Sequence, residues 1–193
     1  MPNWAYTDYV VTGDNEKVEQ FFDMLNRLNE RKRPLRRSDF GKLWLGNIVL
    51  LLGKHWKDVY CRGSIQSYQK SFDNEKLLLT VLSAWGEMNE VRELLQQKFP
   101  SVKVYYYVEE PGMEIYSTND QEGKHFPSRF VVYSDEEGTE YFNCIEDVAE
   151  YLARLGVQVK SDSTAEECEE AVKQWQNTHP DGGWISLYRI KIQ

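Results

Sequence analysis

The chain has 193 residues, enough for one large domain or for a small domain with a substantial extension. A chain of this length buries about 70% of the surface its unfolded form exposes, so its core needs no metal or disulfide staple. With 41% hydrophobic and 28% charged residues and abundant aromatics it is not a disordered chain, and a net charge of −8 argues against general attraction to phosphate backbones.

Asn3 to Thr12 alternates loosely, is rich in Trp, Tyr and Val, and reads as a strand. Gly13-Asp14-Asn15 breaks it, and Asp14 or Asn15 can cap the helix that follows. From Glu16 to about Arg31, Val18, Phe21, Phe22, Leu25 and Leu28 fall on one helical face, and Pro34 helps stop it. A second helix is expected from a Ser38 cap to Gly53, with a strand as the competing reading of the Leu- and Val-rich run. Two strands, about Val59 to Tyr68 and Lys76 to Trp85, flank a hairpin loop at Phe72-Asp73-Asn74-Glu75. A helix over Glu87 to Phe99 is closed by Pro100, and a strand runs over Val102 to Glu109.

This order is α+β and matches the ferredoxin-like, split β-α-β pattern, an antiparallel sheet with helices on one face. Pro111-Gly112 marks a turn. Beyond it strands are expected near Met113 to Ser117, Arg129 to Tyr133 and Glu140 to Phe142. Helices follow at Ile145 to Leu155 and about Thr164 to Asn177, where Thr164 and Glu167 suit a capping box, and a strand over Trp184 to Ile192 ends the chain. The division is either a core over 1–112 with a C-terminal α+β elaboration over 113–193 packed on it, or one domain over 1–193.

The longest apolar run, Ile48 to Leu52, is far short of the about 18 residues of a bilayer span, and the opening residues lack a secretory pattern. The expectation is a cytoplasmic protein that does not engage a membrane. Cys61, Cys144 and Cys168 are odd in number and widely spaced, which suits neither a disulfide framework nor a metal site and reads as structural thiols. His55, His125 and His179 do not pair at ligand spacing, and no Gly-rich phosphate loop occurs. No metal, no cofactor and no catalytic residue is assigned.

Two surfaces are candidates. Around the Pro-Gly turn lie Glu109, Glu110, Tyr116, Asn119 and Asp120, with Trp85 as a wall. Paired carboxylates can share a proton, hold a cation or act as acid and base, though an acidic protein also exposes such turns as plain solvated loops. The stretch 31–37 holds five cations in seven positions, among them Arg31, Arg33, Arg36 and Arg37, and is either an anion-binding segment or a basic connector between helices. Trp4, Tyr6, Tyr105 and Tyr107 would form a base-stacking platform if they face outward, against an acidic net charge and without an RNP1-like sequence.

Several blocks occur in a recognisable order: Met1-Pro2-Asn3-Trp4, Gly13, Ser38 to Gly53, Tyr60-Cys61-Arg62-Gly63, Ser83-Ala84-Trp85, Phe99 through Tyr107 to Glu109-Glu110-Pro111-Gly112, Tyr116, Thr118-Asn119-Asp120 and Phe126-Pro127. Over roughly the first 130 residues the chain resembles the YubB-type ferredoxin-like proteins of bacterial chromosomes, plasmids and phage, in particular the versions of gut Bacteroidetes. The resemblance implies the fold and brings no activity or catalytic residue. Ala5 stands where many relatives carry Cys, so no thiol role is placed there.

The functional expectation is a non-enzymatic binding or interaction protein that meets a protein or small ligand. The alternatives are a nucleic-acid-related role, by binding or acidic mimicry, and a carboxylate-dependent enzyme. Neither the partner nor the oligomeric state follows from the sequence.

Overall fold

Alternation along β1 (Trp4–Gly13) puts Ala5, Thr7, Tyr9 and Val11 on one face and Trp4, Tyr6 and Asp8 on the other, because successive side chains of a strand point to opposite sides. The buried face meets α1 (Asn15–Glu30), whose Val18, Phe21, Leu25 and Leu28 recur at helical spacing. Asp14 caps this helix, its side chain accepting from the Lys17 amide. The computed structural model describes residues 2–180 and 183–193; Met1, the first residue of the opening block, lies outside them.

After α1 come α2 (Leu45–Leu51), β2 (Gly63–Lys70), β3 (Leu77–Ala84), α3 (Asn89–Lys98), β4 (Val102–Glu110) and β5 (Ile115–Thr118). These strands run in the order β2-β3-β1-β4-β5, each pair antiparallel. Val18, Phe21 and Leu25 of α1, Ile48 and Val49 of α2, and Val91, Leu94 and Leu95 of α3 share one core with Tyr9, Val11, Leu77, Leu79, Val81, Val104 and Tyr106 of the sheet. The chain is therefore α+β.

Two elements start later than their composition suggests. The second helix does not begin at Ser38, whose hydroxyl accepts from the Phe40 amide in a local turn. The fully buried Asn47 explains the delay. Its Oδ1 accepts from the Arg36 amide at 2.8 Å and its Nδ2 donates to the Lys42 carbonyl at 3.0 Å, so residues 36–42 are latched as a loop. The end is as expected: Gly53, at φ 90°, follows α2, and bonds from Gly53 to Leu50 and from Lys54 to Val49 form a Schellman closure. Likewise β2 starts at Gly63 rather than Val59, because Tyr60 gives its amide to the Glu90 carboxylate and Gly63 gives its own to the Cys61 carbonyl.

Two compact units divide the chain, Met1–Asn119 and Asp120–Gln193. The division falls beyond Gly112 because β5 pairs with β4, Tyr107 with Thr118 through Glu110 with Ile115, and so stays in the first unit. The second unit holds β6 (Phe130–Ser134), β7 (Gly138–Phe142), α4 (Ile145–Arg154), α5 (Ala165–Thr178), β8 (Ile185–Arg189) and β9 (Lys191–Ile192). Its sheet runs β7-β6-β8, and Val132, Val148, Leu152, Cys168, Val172 and Ile185 form its core. Thr164 and Glu167 make both bonds of the capping box at α5. The expected final strand is split at Ile190, whose amide still continues the β6–β8 register by donating to the Arg129 carbonyl at 2.8 Å. Among the described residues no helix is long and apolar enough to cross a membrane.

Candidate binding site

The irregular segment before β2 builds an open aromatic groove on the first unit. Asp58 turns back to the His55 carbonyl, and the chain then runs to Arg62, whose carbonyl accepts from the Ala84 amide at 2.9 Å. Along this path the indole of Trp44 donates to the Cys61 carbonyl at 3.1 Å, both residues being buried. Trp44 can lie there because residue 46 is glycine: a Cβ at Gly46 would sit 2.4 Å from the indole ring. Trp56 packs edge-on against Trp44, with ring centroids 5.3 Å apart, and His55 stacks on Trp56 at 5.8 Å. Phe40, Val59 and Tyr60 complete an open groove of about 420 Å³, within the usual range for small-ligand sites. Tyr60 is 47% exposed there.

The rim is cationic. Arg36 lies 5.8 Å and Lys57 5.6 Å from the Trp56 ring centroid, both within cation–π reach, and Arg62 lines the groove. Arg36 reaches this place through the Asn47 latch on its own amide. Residues 31–62 hold nine Lys and Arg against two Asp, a net of +7, so the other 161 residues carry −15. Of the nearby acids, Asp39 and Asp58 are exposed, and Glu90 takes the Tyr60 amide at 2.8 Å. The Cys61 thiol is pushed up to about 11 by burial and, secondarily, by the Glu90 charge, so it is a neutral donor to the Trp56 carbonyl rather than a nucleophile.

The basic residues singled out from the sequence are all exposed, and of Arg31, Arg33, Arg36 and Arg37 it is Arg36 that stands over Trp56. The residues around the Pro-Gly turn have more local tasks. Glu110 is 4% exposed; one oxygen caps the 3-10 turn Pro111–Met113 by accepting from the Gly112 amide, and the other, Oε2, is buried without a hydrogen-bond partner. Asn119 pairs with strand β4, accepting from the Tyr106 amide and donating to the Val104 carbonyl. Glu109 and Tyr116 are register partners, and Tyr116 is buried. Trp85 is 43% exposed at the end of β3, with φ at 72°, and donates its amide to the Asn3 carbonyl. In the second unit Asp120 is buried and accepts from the amides of His125 and Phe126. Burial works to raise its carboxyl, and these amides outweigh it and hold it below the usual carboxylate range.

One polar cluster escaped the sequence reading. Glu87, whose side chain is 8% exposed, accepts from the Tyr9 hydroxyl at 2.8 Å and from Arg92 at 3.1 Å, and Arg92 lies 5.2 Å from the Tyr106 ring centroid. Burial pushes the Glu87 carboxyl up, against the pull of Arg92, and burial together with the Glu87 charge raises the Tyr9 phenol well above its ordinary value. Each polar group is matched to another, so the cluster reads as a buried network that fixes α3 against the sheet. Among the described residues no group of three or more His, Cys, Asp or Glu converges to hold a metal ion.

No family model matches the chain, and neither a curated protein nor a solved structure is significantly similar to it.

Proposed function

We propose that the chain is a non-enzymatic binding protein whose ligand enters the Trp44–Trp56–Tyr60 groove. One observation carries this reading: an open aromatic groove of about 420 Å³ lies within the stretch 31–62, which holds +7 in a chain of net −8. Aromatic walls supply contact area at low entropic cost, and a cationic rim selects anions. The carboxylates support a binding role over an enzymatic one, since Glu110, Asp120 and Glu87 each spend oxygens on their own turn or network. The strand order β2-β3-β1-β4, with α1 and α2 before β2 and α3 before β4, supports a ferredoxin-like first unit, and the blocks quoted above support kinship with the YubB-type family. Three unpaired cysteines support residence in a reducing compartment such as the cytoplasm.

The test is a ¹⁵N–¹H correlation spectrum of the full chain, titrated with a mononucleotide, inorganic phosphate, an aromatic carboxylate, an acidic peptide and a neutral aromatic. The expected result is movement of the Trp44 and Trp56 indole resonances with at least one anion. Shifts confined to Tyr6 and Asp8, or to the Glu109–Asn119 turn, would place binding elsewhere and overturn the reading.

A further inference from the structure

We infer that the groove binds a nucleotide, free or carried on a single strand: a planar base against its aromatic wall and the phosphate on its rim. The inference rests on the binding role proposed for the groove and names its ligand class. Trp56 is already part of a stack of planar and cationic groups, with His55 at 5.8 Å and the Arg36 and Lys57 cations at 5.8 and 5.6 Å. A nucleobase offers the same two properties as these neighbours, a flat π-face and polar edges, and base–aromatic stacking accepts any base because every base has such a face. Half-exposed Tyr60 offers a second ring in the same groove.

The phosphate is drawn by charge. Lys57 and Arg62 are exposed in the groove's lining and Arg36 over its Trp56, Arg37 lies on the loop that Asn47 latches, and Arg31 and Arg33 precede it in sequence. Of the acids close by, Glu90 is occupied by the Tyr60 amide, and Asp58 and Asp39 leave the balance of 31–62 strongly positive. A duplex suits this surface poorly. Its stacked bases cannot reach an aromatic wall without being splayed out, and its continuous charge would meet the −15 carried by the remaining residues. A groove of about 420 Å³ lies in the lower half of the small-ligand range, which suits one nucleotide unit at a time.

The experiment titrates the full chain with four probes: AMP, a single-stranded dT decamer, inorganic phosphate and a blunt ten-base-pair duplex. Binding is read from the Trp44 and Trp56 indole resonances and, for the oligomers, from anisotropy at two salt concentrations. The expected result is that AMP or the decamer moves both indoles and phosphate alone does so weakly. Decamer affinity should fall about tenfold between 50 and 200 mM salt, as two or three phosphate contacts require. Arg62→Glu and Lys57→Glu, which keep every ring of the groove though the second also removes a cation from the Trp56 face, should each lower affinity at least fivefold; Trp56→Ala should do so if it folds; Tyr6→Ala, on the sheet, should change nothing. Movement with AMP identifies a free nucleotide as sufficient; movement with the decamer alone identifies the strand. The inference is overturned if neither moves the indoles at low salt, if charge reversal has no effect, or if the duplex binds as well as the decamer. Should the aromatic carboxylate or acidic peptide then move the indoles where nucleotides do not, the ligand class is wrong and the binding role stands; should nothing move them, both fall.

Discussion

The indole nitrogen of Trp44 and the carbonyl of Cys61 meet at 3.1 Å, tying the start of α2 to the segment that leads into β2. That bond holds the floor of the groove, and Gly46 makes room for it. Gly46→Ala forces a Cβ into the indole ring, an overpacking that costs about 1–3 kcal/mol. Trp44→Phe removes one of the two donors to the Cys61 carbonyl, the Gly63 amide remaining, at about 0.5–1.5 kcal/mol. Urea denaturation of both variants checks this; a Gly46→Ala protein as stable as the parent would show that the indole is free to move.

Asp120 makes an acid-sensitive contribution to the second unit. Its folded pKa lies below its unfolded one, so the stability it contributes is present above the unfolded carboxylate value and is lost as pH falls through the folded one. Asp120→Asn replaces charge-assisted amide bonds with neutral ones and should cost about 2 kcal/mol at neutral pH. The variant should also lose stability less steeply on acidification. Urea melts from pH 2 to 7, followed by resonances of residues 120–126, measure both.

Glu87 has the opposite sign. Its folded pKa is raised, so its contribution is complete below the unfolded value near 4.5 and is lost as pH rises through the folded value. Between mildly acidic and neutral pH the parent should therefore lose stability relative to Glu87→Gln, which cannot ionise. Tyr9→Phe removes one of the two donors to this carboxylate and should cost about 1–2 kcal/mol at neutral pH. A difference curve that is flat with pH would mean that Glu87 titrates as if exposed.

Capping at α5 offers a stability test in the second unit. Thr164→Ala removes the acceptor for the Glu167 amide and breaks the reciprocal box, at a cost of about 0.5–2 kcal/mol. Thermal unfolding of Thr164→Ala and Thr164→Ser separates the two cases: the Ser variant should recover most of the loss.

Much of this architecture is legible from residue spacing. Val18, Phe21, Leu25 and Leu28 announce α1, Thr164 with Glu167 announces α5, and alternation from Ala5 to Val11 announces β1, because each is a local pattern. The late start of α2 is not legible, since one side chain, Asn47, claims the 36–42 backbone from eleven to five residues away. The groove is hidden for a similar reason. Phe40, Trp44, Trp56 and Tyr60 lie outside α2, on the irregular segments either side of it, and meet through the Trp44–Cys61 bond and a turn at His55. A running charge sum would have drawn attention to 31–62, where the positive stretch extends well past the seven residues that stand out by eye. Glu87 looks like a helix-leading acid, and only the fold sets Tyr9 and Arg92 beside it.

The position of β1 bears on how the chain is made. It is synthesised before both of its neighbours, since Thr7 pairs with Val81 on one side and Val108 on the other. The nascent strand therefore emerges with both edges open and a buried-type face uncovered, and stays so until β3 and β4 have followed it. Folding of the first unit must wait for distant partners rather than proceed residue by residue, which predisposes it to slow, late collapse and makes β1 the segment in most need of shelter during translation.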